Sequence, residues 1–243
     1  MTAPRFYCPI ALPADSRIDL PNAPAHHAVR VLRLSVGDAV ILFNGQGGET
    51  HGVIERLDRT RVTVALQTRH PIERESSMPV TLIQALASTD KMDLVIQKAV
   101  ELGVARIVPV VTERSVVRLN AGRADKRLEH WRGVVIAACE QCGRNRLPEV
   151  TALAGLRQGL EQAARAAARW ELSPATLRPL RDFPKPPGEI ALLVGAEGGL
   201  SPAERAAVSA AGFVPVQLGP RVLRTETAGL AALAAIHALW GDF

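Results

Sequence analysis

From Val80 onward, short apolar runs alternate with amphipathic helical segments, and no other feature restricts the possible folds so much. Residues 80–86 (VTLIQAL), 107–112, 190–194 (IALLV) and 214–218 read as strands, with a further short strand near 170–172. Ser88, Thr89 and Asp90 offer N-caps for a helix that carries Met92, Val95, Ile96 and Ala99 on one face and ends at Gly103. Residues 125–142, about 153–168, and 226–240 read as further helices. Ser201-Pro202-Ala203-Glu204 is a capping box with Pro at the first helical position, opening a helix that closes at Gly212. Strands separated by helices must run parallel, so residues 76–243 are expected to form an α/β parallel sheet.

Residues 1–75 follow a different pattern. Residues 38–43 run into Asn44-Gly45-Gln46-Gly47-Gly48, residues 50–57 return, and residues 61–66 alternate with period two, which describes a small barrel or meander. The glycines join two strands and no helix follows them, so a hairpin is favoured over a phosphate loop. The 243 residues suit one large domain or two modest ones at roughly 150 residues each. The charged stretch 70–79, bounded by prolines, is the linker candidate, dividing the chain into 1–75 and 76–243.

Composition excludes several classes. With 47% hydrophobic and 22% charged residues, the chain is neither disordered nor fibrous. The net charge of +5 comes almost wholly from arginine, since Lys91, Lys98, Lys126 and Lys185 are the lysines; this permits a nucleic-acid partner without demonstrating one. No apolar run approaches the ~18 residues that span a bilayer and the N-terminus lacks a signal layout, so a cytoplasmic protein is expected. Three cysteines are an odd count that argues against a disulfide framework. Cys139 and Cys142 form a C-x-x-C without further ligands, on the apolar stripe Leu128, Trp131, Val135, Ala138, Cys142; packing is expected, and no metal. His237 continues the stripe Leu230, Leu233, His237, Trp240 and reads as a packed histidine.

In an open parallel sheet, ligands sit beyond the carboxyl ends of the strands, which directs attention to the loops after Val194 and Leu218. The first is Gly195-Ala196-Glu197-Gly198-Gly199, which a turn and helix entry would explain equally well; the second is Gly219-Pro220-Arg221-Val222-Leu223-Arg224-Thr225-Glu226-Thr227. Neither matches the Walker or the dinucleotide glycine pattern, so nucleotide hydrolysis and hydride transfer lose their usual support.

Together the loops resemble the SPOUT superfamily of S-adenosylmethionine-dependent RNA methyltransferases, and within it the 16S ribosomal RNA uridine-N3 methyltransferases (RsmE type). The resemblance runs nearly end to end. It includes HHAVRVLRL from His26, Gly37-Asp38, Asn44-Gly45, KAVELGV from Lys98, Arg114-Ser115-Val116-Val117, EQCGR from Glu140, VGAEGGLS from Val194 and, most distinctively, LGPRVLRTETA from Leu218. Ala196 stands where family members usually have Pro, which should loosen that loop slightly.

The resemblance implies a PUA-like RNA-binding β-barrel over 1–75 and a SPOUT-type parallel sheet with a C-terminal trefoil knot over 76–243. It also implies a homodimer that takes S-adenosyl-L-methionine as cofactor and methylates 16S rRNA within the small ribosomal subunit. By carry-over, Gly195, Glu197, Gly198 and Gly199 would form one wall of the cofactor pocket, Leu218, Gly219, Val222, Leu223 and Arg224 another, and Leu172 with Ser173 a third. Transfer from a sulfonium to uracil N3 needs alignment and support for negative charge on the base, a role that falls to Arg224 as the catalytic candidate. Holding a backbone carbonyl or phosphate is the alternative role for Arg224, and helix-dipole stabilisation is the favoured one for Glu226. Arg5, Arg30 and Arg33, with Arg114, Arg118, Arg144 and Arg146, are the candidate phosphate contacts. Two alternatives stay open: another RNA or base atom as substrate, and a ribosome-associated RNA-binding protein without turnover. Methyl incorporation separates catalysis from binding alone.

Overall fold

The computed structural model describes residues 3–58, 61–115 and 121–243. They divide into two units, Met1–Glu75 with Cys139–Leu147, and Ser76–Ala138 with Pro148–Phe243.

In the first unit, β1 (Arg5–Tyr7), β2 (Arg17–Asp19), β3 (Ala39–Phe43), β4 (Glu49–Leu57) and β5 (Val62–His70) form a sheet in the order β1-β3-β4-β5-β2. β3, β4 and β5 are an antiparallel meander, β1 joins β3 in parallel, and β2 pairs antiparallel with β5. Period-two patterning works as expected: Val40 and Leu42 of β3, and Val62, Val64 and Leu66 of β5, turn inward onto Phe6, Cys8 and Ile54. Helix α1 (Asn22–His26) continues into a π-type turn, His27–Val31, and buries Ala25 and Ala28 against the same core. The glycine loop after β3 is a connection between two strands; Gly45, Gly47 and Gly48 all have positive φ, which only glycine adopts at little cost. The expected linker behaves differently in its first half. Glu73, Arg74 and Glu75 form ion pairs with Arg146, Glu49 and Arg144 respectively, so these charges are structural.

The second unit holds β6 (Val80–Ala85), α2 (Thr89–Glu101), β7 (Arg106–Val111), β8 (Glu149–Val150), β9 (Ala154–Gly155), α4 (Leu156–Gln162), β10 (Ala168–Leu172), β11 (Ile190–Val194), α5 (Pro202–Ala210), β12 (Val214–Val216) and α6 (Thr225–Trp240). Helix α3 (Ala121–Cys142) belongs to it as far as Ala138. The sheet order is β12-β10-β11-β6-β7-β8, with β9 also on β7, and every pairing is parallel. Every residue of β6 and β11 is buried, as a parallel sheet covered on both faces demands. Helix α2 buries Met92, Val95, Ile96, Ala99 and Val100, a stripe at helical spacing. Gly229 lets α6 approach the sheet, because a Cβ there would lie 3.3 Å from Leu82 and Val194 side chains.

One helix is shorter than its sequence suggests. Residues 153–168 read as a single helix, but α4 occupies only Leu156–Gln162. Ala154 and Gly155 are taken by pairing with Val110 and Val111, and the amides of Ala167 and Ala168 donate to the carbonyl of Glu189, which draws the alanine-rich tail into β10. Tertiary pairing thus overrides helix propensity.

The capping box is complete: Ser201 Oγ accepts from Glu204 N and Glu204 Oε2 accepts from Ser201 N. Ser201→Ala is expected to cost about 1 kcal/mol of stability in urea unfolding, the usual value of such a cap. His237 is fully buried with Nδ1 2.9 Å from Ser76 Oγ. None of the three cysteines is in a disulfide, and burial pushes the Cys8 and Cys139 thiols up to about 12, which removes them as nucleophiles near neutrality. Among the described residues no helix is long and apolar enough to cross a membrane.

Candidate cofactor and RNA site

Strands β12, β10 and β11 are sheet neighbours running in one direction, so the loops leaving them gather at one edge of the second unit. They enclose a cavity of about 590 Å³, within the roughly 300–1,000 Å³ of small-molecule sites. Leu172 and Ser173 line it after β10, Gly195, Glu197, Gly198 and Gly199 after β11, and Leu218, Gly219, Val222, Leu223 and Arg224 after β12. The three loops singled out in the sequence therefore converge on one space. Gly199 and Gly219 have φ of +68° and +85°, so these turns require glycine. Ala196 is buried in the core beneath its loop.

The β11 loop is fastened at several points. Gln84, fully buried on β6, donates through Nε2 to Thr225 Oγ1 at 3.1 Å, and Thr225 Oγ1 donates to the Gly195 carbonyl at 2.6 Å. Arg114 Nη1 donates to the Gly198 carbonyl at 2.7 Å. Lys91 Nζ lies 2.9 Å from Glu197 Oε1 and 3.4 Å from the buried Glu226 Oε2, tying the loop to the first turn of α6. Burial works to raise the Glu197 carboxyl, but the Lys91 hydrogen bond, a backbone hydrogen bond and the Lys91 charge hold it below its ordinary value. Burial pushes Glu171, on the cavity wall, above its ordinary value against the pull of Arg205.

Sequence patterning missed Lys91, Glu171, Arg205 and the Gln84–Thr225 link. A glutamine inside the strand VTLIQAL was the available signal, because a buried polar side chain requires a partner.

The candidate phosphate contacts separate. Arg30, Arg33 and Arg146 are exposed, Arg146 beside Glu73 at 3.3 Å. Arg5 and Arg144, expected to meet phosphate, instead meet partners within the first unit. The Arg5 side chain is half-buried, with Nη1 2.6 Å from Glu49 and Nη2 2.5 Å from Asn145 Oδ1, and buried Arg144 pairs with Glu75; both guanidiniums are spent inside the fold. Arg114 is exposed but committed in part to Gly198. Arg118 lies outside the described residues. Among the described residues, no three His, Cys, Asp or Glu are grouped to hold a metal ion.

An open parallel sheet with a loop-built cavity at its carboxyl edge is the construction of a ligand-binding α/β domain. The chain belongs to the RNA methyltransferase family, whose domain model matches residues 74–237, while the RNA methyltransferase PUA domain matches 20–67. It is similar to the ribosomal RNA small subunit methyltransferase E of Neisseria gonorrhoeae, solved bound to S-adenosyl methionine (40% identity, TM-score 0.93, all of both chains covered). A Legionella pneumophila protein solved with bound SAM is 37% identical, with a TM-score of 0.96 over all of both chains. The Bacillus subtilis ribosomal RNA small subunit methyltransferase E is 33% identical over 87% of this chain and 86% of its own.

Proposed function

We propose that this protein uses S-adenosyl-L-methionine to methylate N3 of a uridine in 16S rRNA of the small ribosomal subunit. The observation that carries this reading is the convergence of the β10, β11 and β12 loops on one cavity. Relatives of similar fold that bind S-adenosylmethionine support it, as does the name of the Neisseria and Bacillus proteins. The finer topology, a trefoil knot through these loops, is carried by the family resemblance alone. Residues 1–75 would then act as a PUA-like RNA-binding barrel and 76–243 as the methyltransferase domain, in a cytoplasmic homodimer.

The residues present suit the cofactor: glycine backbone allows close approach, Leu172, Leu218, Val222 and Leu223 supply apolar walls, and Glu197 and Arg224 supply charge at the rim. When bound, the cofactor supplies a methyl group on a cationic sulfur, which becomes neutral as the methyl leaves. Transfer would break the methyl–sulfur bond, form a methyl–N3 bond and release the N3 proton to water. This chain's loops hold the donor in line with the nucleophile, and Arg224 stabilises negative charge on the uracil carbonyl oxygens.

Mass spectrometry of nucleosides from small-subunit RNA incubated with protein and cofactor tests the proposal. N3-methyluridine is expected; methyl at another atom or no incorporation overturns it.

The Thr225 link gives a sharper expectation. Thr225→Val removes the donor to the Gly195 carbonyl, and cofactor affinity in calorimetry should fall about fivefold to tenfold, the value of one net hydrogen bond. Thr225→Ser should restore it. Equal affinity in all three proteins would show that Thr225 does not set the loop.

A further inference from the structure

The first unit contains a second cavity of about 590 Å³, which none of the chemistry above uses. Tyr7, Pro9, Ile10 and Pro13 form its apolar side, and Asn44, Gln46 and Arg69 its polar side. We infer that this cavity receives one unstacked nucleotide of single-stranded RNA, with the base against Tyr7, its edge read by Asn44 and Gln46, and its phosphate near Arg69. The inference rests on the proposed RNA substrate and gives it a contact site.

The walls are built before any ligand arrives. The Tyr7 ring is set against fully buried Phe43, centroids 5.7 Å apart and planes 50° apart, and the Tyr7 amide donates to Glu140 Oε1 at 2.9 Å. Gly45 closes the gap behind the ring, since a Cβ there would stand 3.3 Å from Tyr7 Cε2, and its φ of +82° suits glycine independently. At the hairpin tip, Asn44 Oδ1 accepts from Gln46 N at 3.1 Å, and Gly45 and Gln46 both bridge to Arg146. Across the cavity, the amide of Ile10 donates to the Cys8 carbonyl at 2.7 Å, while Ile10 as a residue remains 39% exposed.

The lining selects its occupant by chemistry. It contains no carboxylate, and its one ionised side chain is Arg69, anchored through Nη2 to the Gly47 carbonyl at 3.3 Å. An aromatic ring beside prolines offers a planar apolar slot, side-chain amides offer paired donors and acceptors, and a guanidinium offers a phosphate contact. Those are the contacts that recognise an extruded base, and a duplex keeps its bases stacked out of reach.

Fluorescence anisotropy with labelled single-stranded oligouridylate, and with the same strand annealed to oligoadenylate, tests the site in the full chain. Methyl transfer to small-subunit RNA is measured alongside. Tyr7→Leu removes the ring, and Gln46→Glu places a carboxylate at an exposed turn position where folding is not at issue. Each should weaken single-strand binding on the order of tenfold, with Tyr7→Phe close to the original protein and duplex binding unchanged. Single-strand affinity unaltered in Tyr7→Leu and Gln46→Glu overturns the site, and intact methyl transfer in those variants would leave the proposed activity standing. Conversely, affinity that depends on Tyr7 and Gln46 in a protein that transfers no methyl group would uphold the site and remove the activity.

Discussion

Glu49→Ala is expected to destabilise the first unit by about 3–5 kcal/mol, the usual cost of removing one partner from a buried ion pair. Glu49 is only 3% exposed, and its Oε2 receives Arg5 Nη1 at 2.6 Å, Arg74 Nη1 at 3.0 Å and Asn145 Nδ2 at 3.1 Å. The network joins β1, β4, the 71–75 stretch and the 139–147 segment, which are far apart in sequence and belong to one unit. Among the described residues Arg5 Nε has no hydrogen-bond partner, so losing the carboxylate would leave that largely enclosed guanidinium only the Asn145 side chain and the Arg144 carbonyl as acceptors and no counter-charge.

The pH dependence follows from the same contacts. Burial favours the protonated acid, but hydrogen bonds from Arg5, Arg74 and Asn145 outweigh it and lower the carboxyl from 4.5 to about 2. Because the folded value is depressed, the contribution is complete above pH 4.5 and is lost as pH falls toward 2. That gap corresponds to about 3 kcal/mol. Urea unfolding, with hydrogen exchange resolving β1 and β4, should show this loss in the original protein and a much flatter acid dependence in Glu49→Gln. An Ala variant as stable as the original, or an unchanged acid slope in Gln, would show that the network is not the brace.

That network also shows where sequence patterning stops. IALLV at 190–194 coincides with β11 because a strand covered on both faces is apolar at every position, a property local to five residues. The Ser201 cap is equally local. The roles of Arg5 and Arg144 depend on Glu49, Asn145 and Glu75, partners many residues away, and a lone arginine in a sequence looks the same whether it meets a carboxylate or a phosphate. β1 and β2 were not read because three residues are too few to display alternation. The cavity loops were legible for a mixed reason: glycine turns after parallel strands follow from physics, whereas assigning them a ligand required resemblance. Gln84 lies between these cases, since its polarity was visible and its partner Thr225 was not.

Arg224→Ala is expected to lower the single-turnover rate about a hundredfold, or about 3 kcal/mol, while changing the affinity of either substrate far less. Arg224 caps α6 through its backbone, its carbonyl accepting from Thr227 and Ala228 at 3.0 and 2.8 Å, and its side chain makes no cap hydrogen bond. Alanine preserves those backbone bonds, so helix α6 should persist and the side chain alone is tested. That side chain is exposed at the cavity rim, with its donors available to a substrate. Under the proposed reaction, negative charge grows on the uracil oxygens as N3 gives up its proton, so a guanidinium there binds the transition state more tightly than the neutral base. Lysine should rescue little, because a point charge does not reproduce two parallel donors. The deciding measurement is methyl transfer at saturating cofactor and RNA, with RNA affinity determined separately. An unchanged rate with weakened affinity would assign Arg224 to phosphate positioning, whereas a slow rate at unchanged affinity places its action at the reacting base.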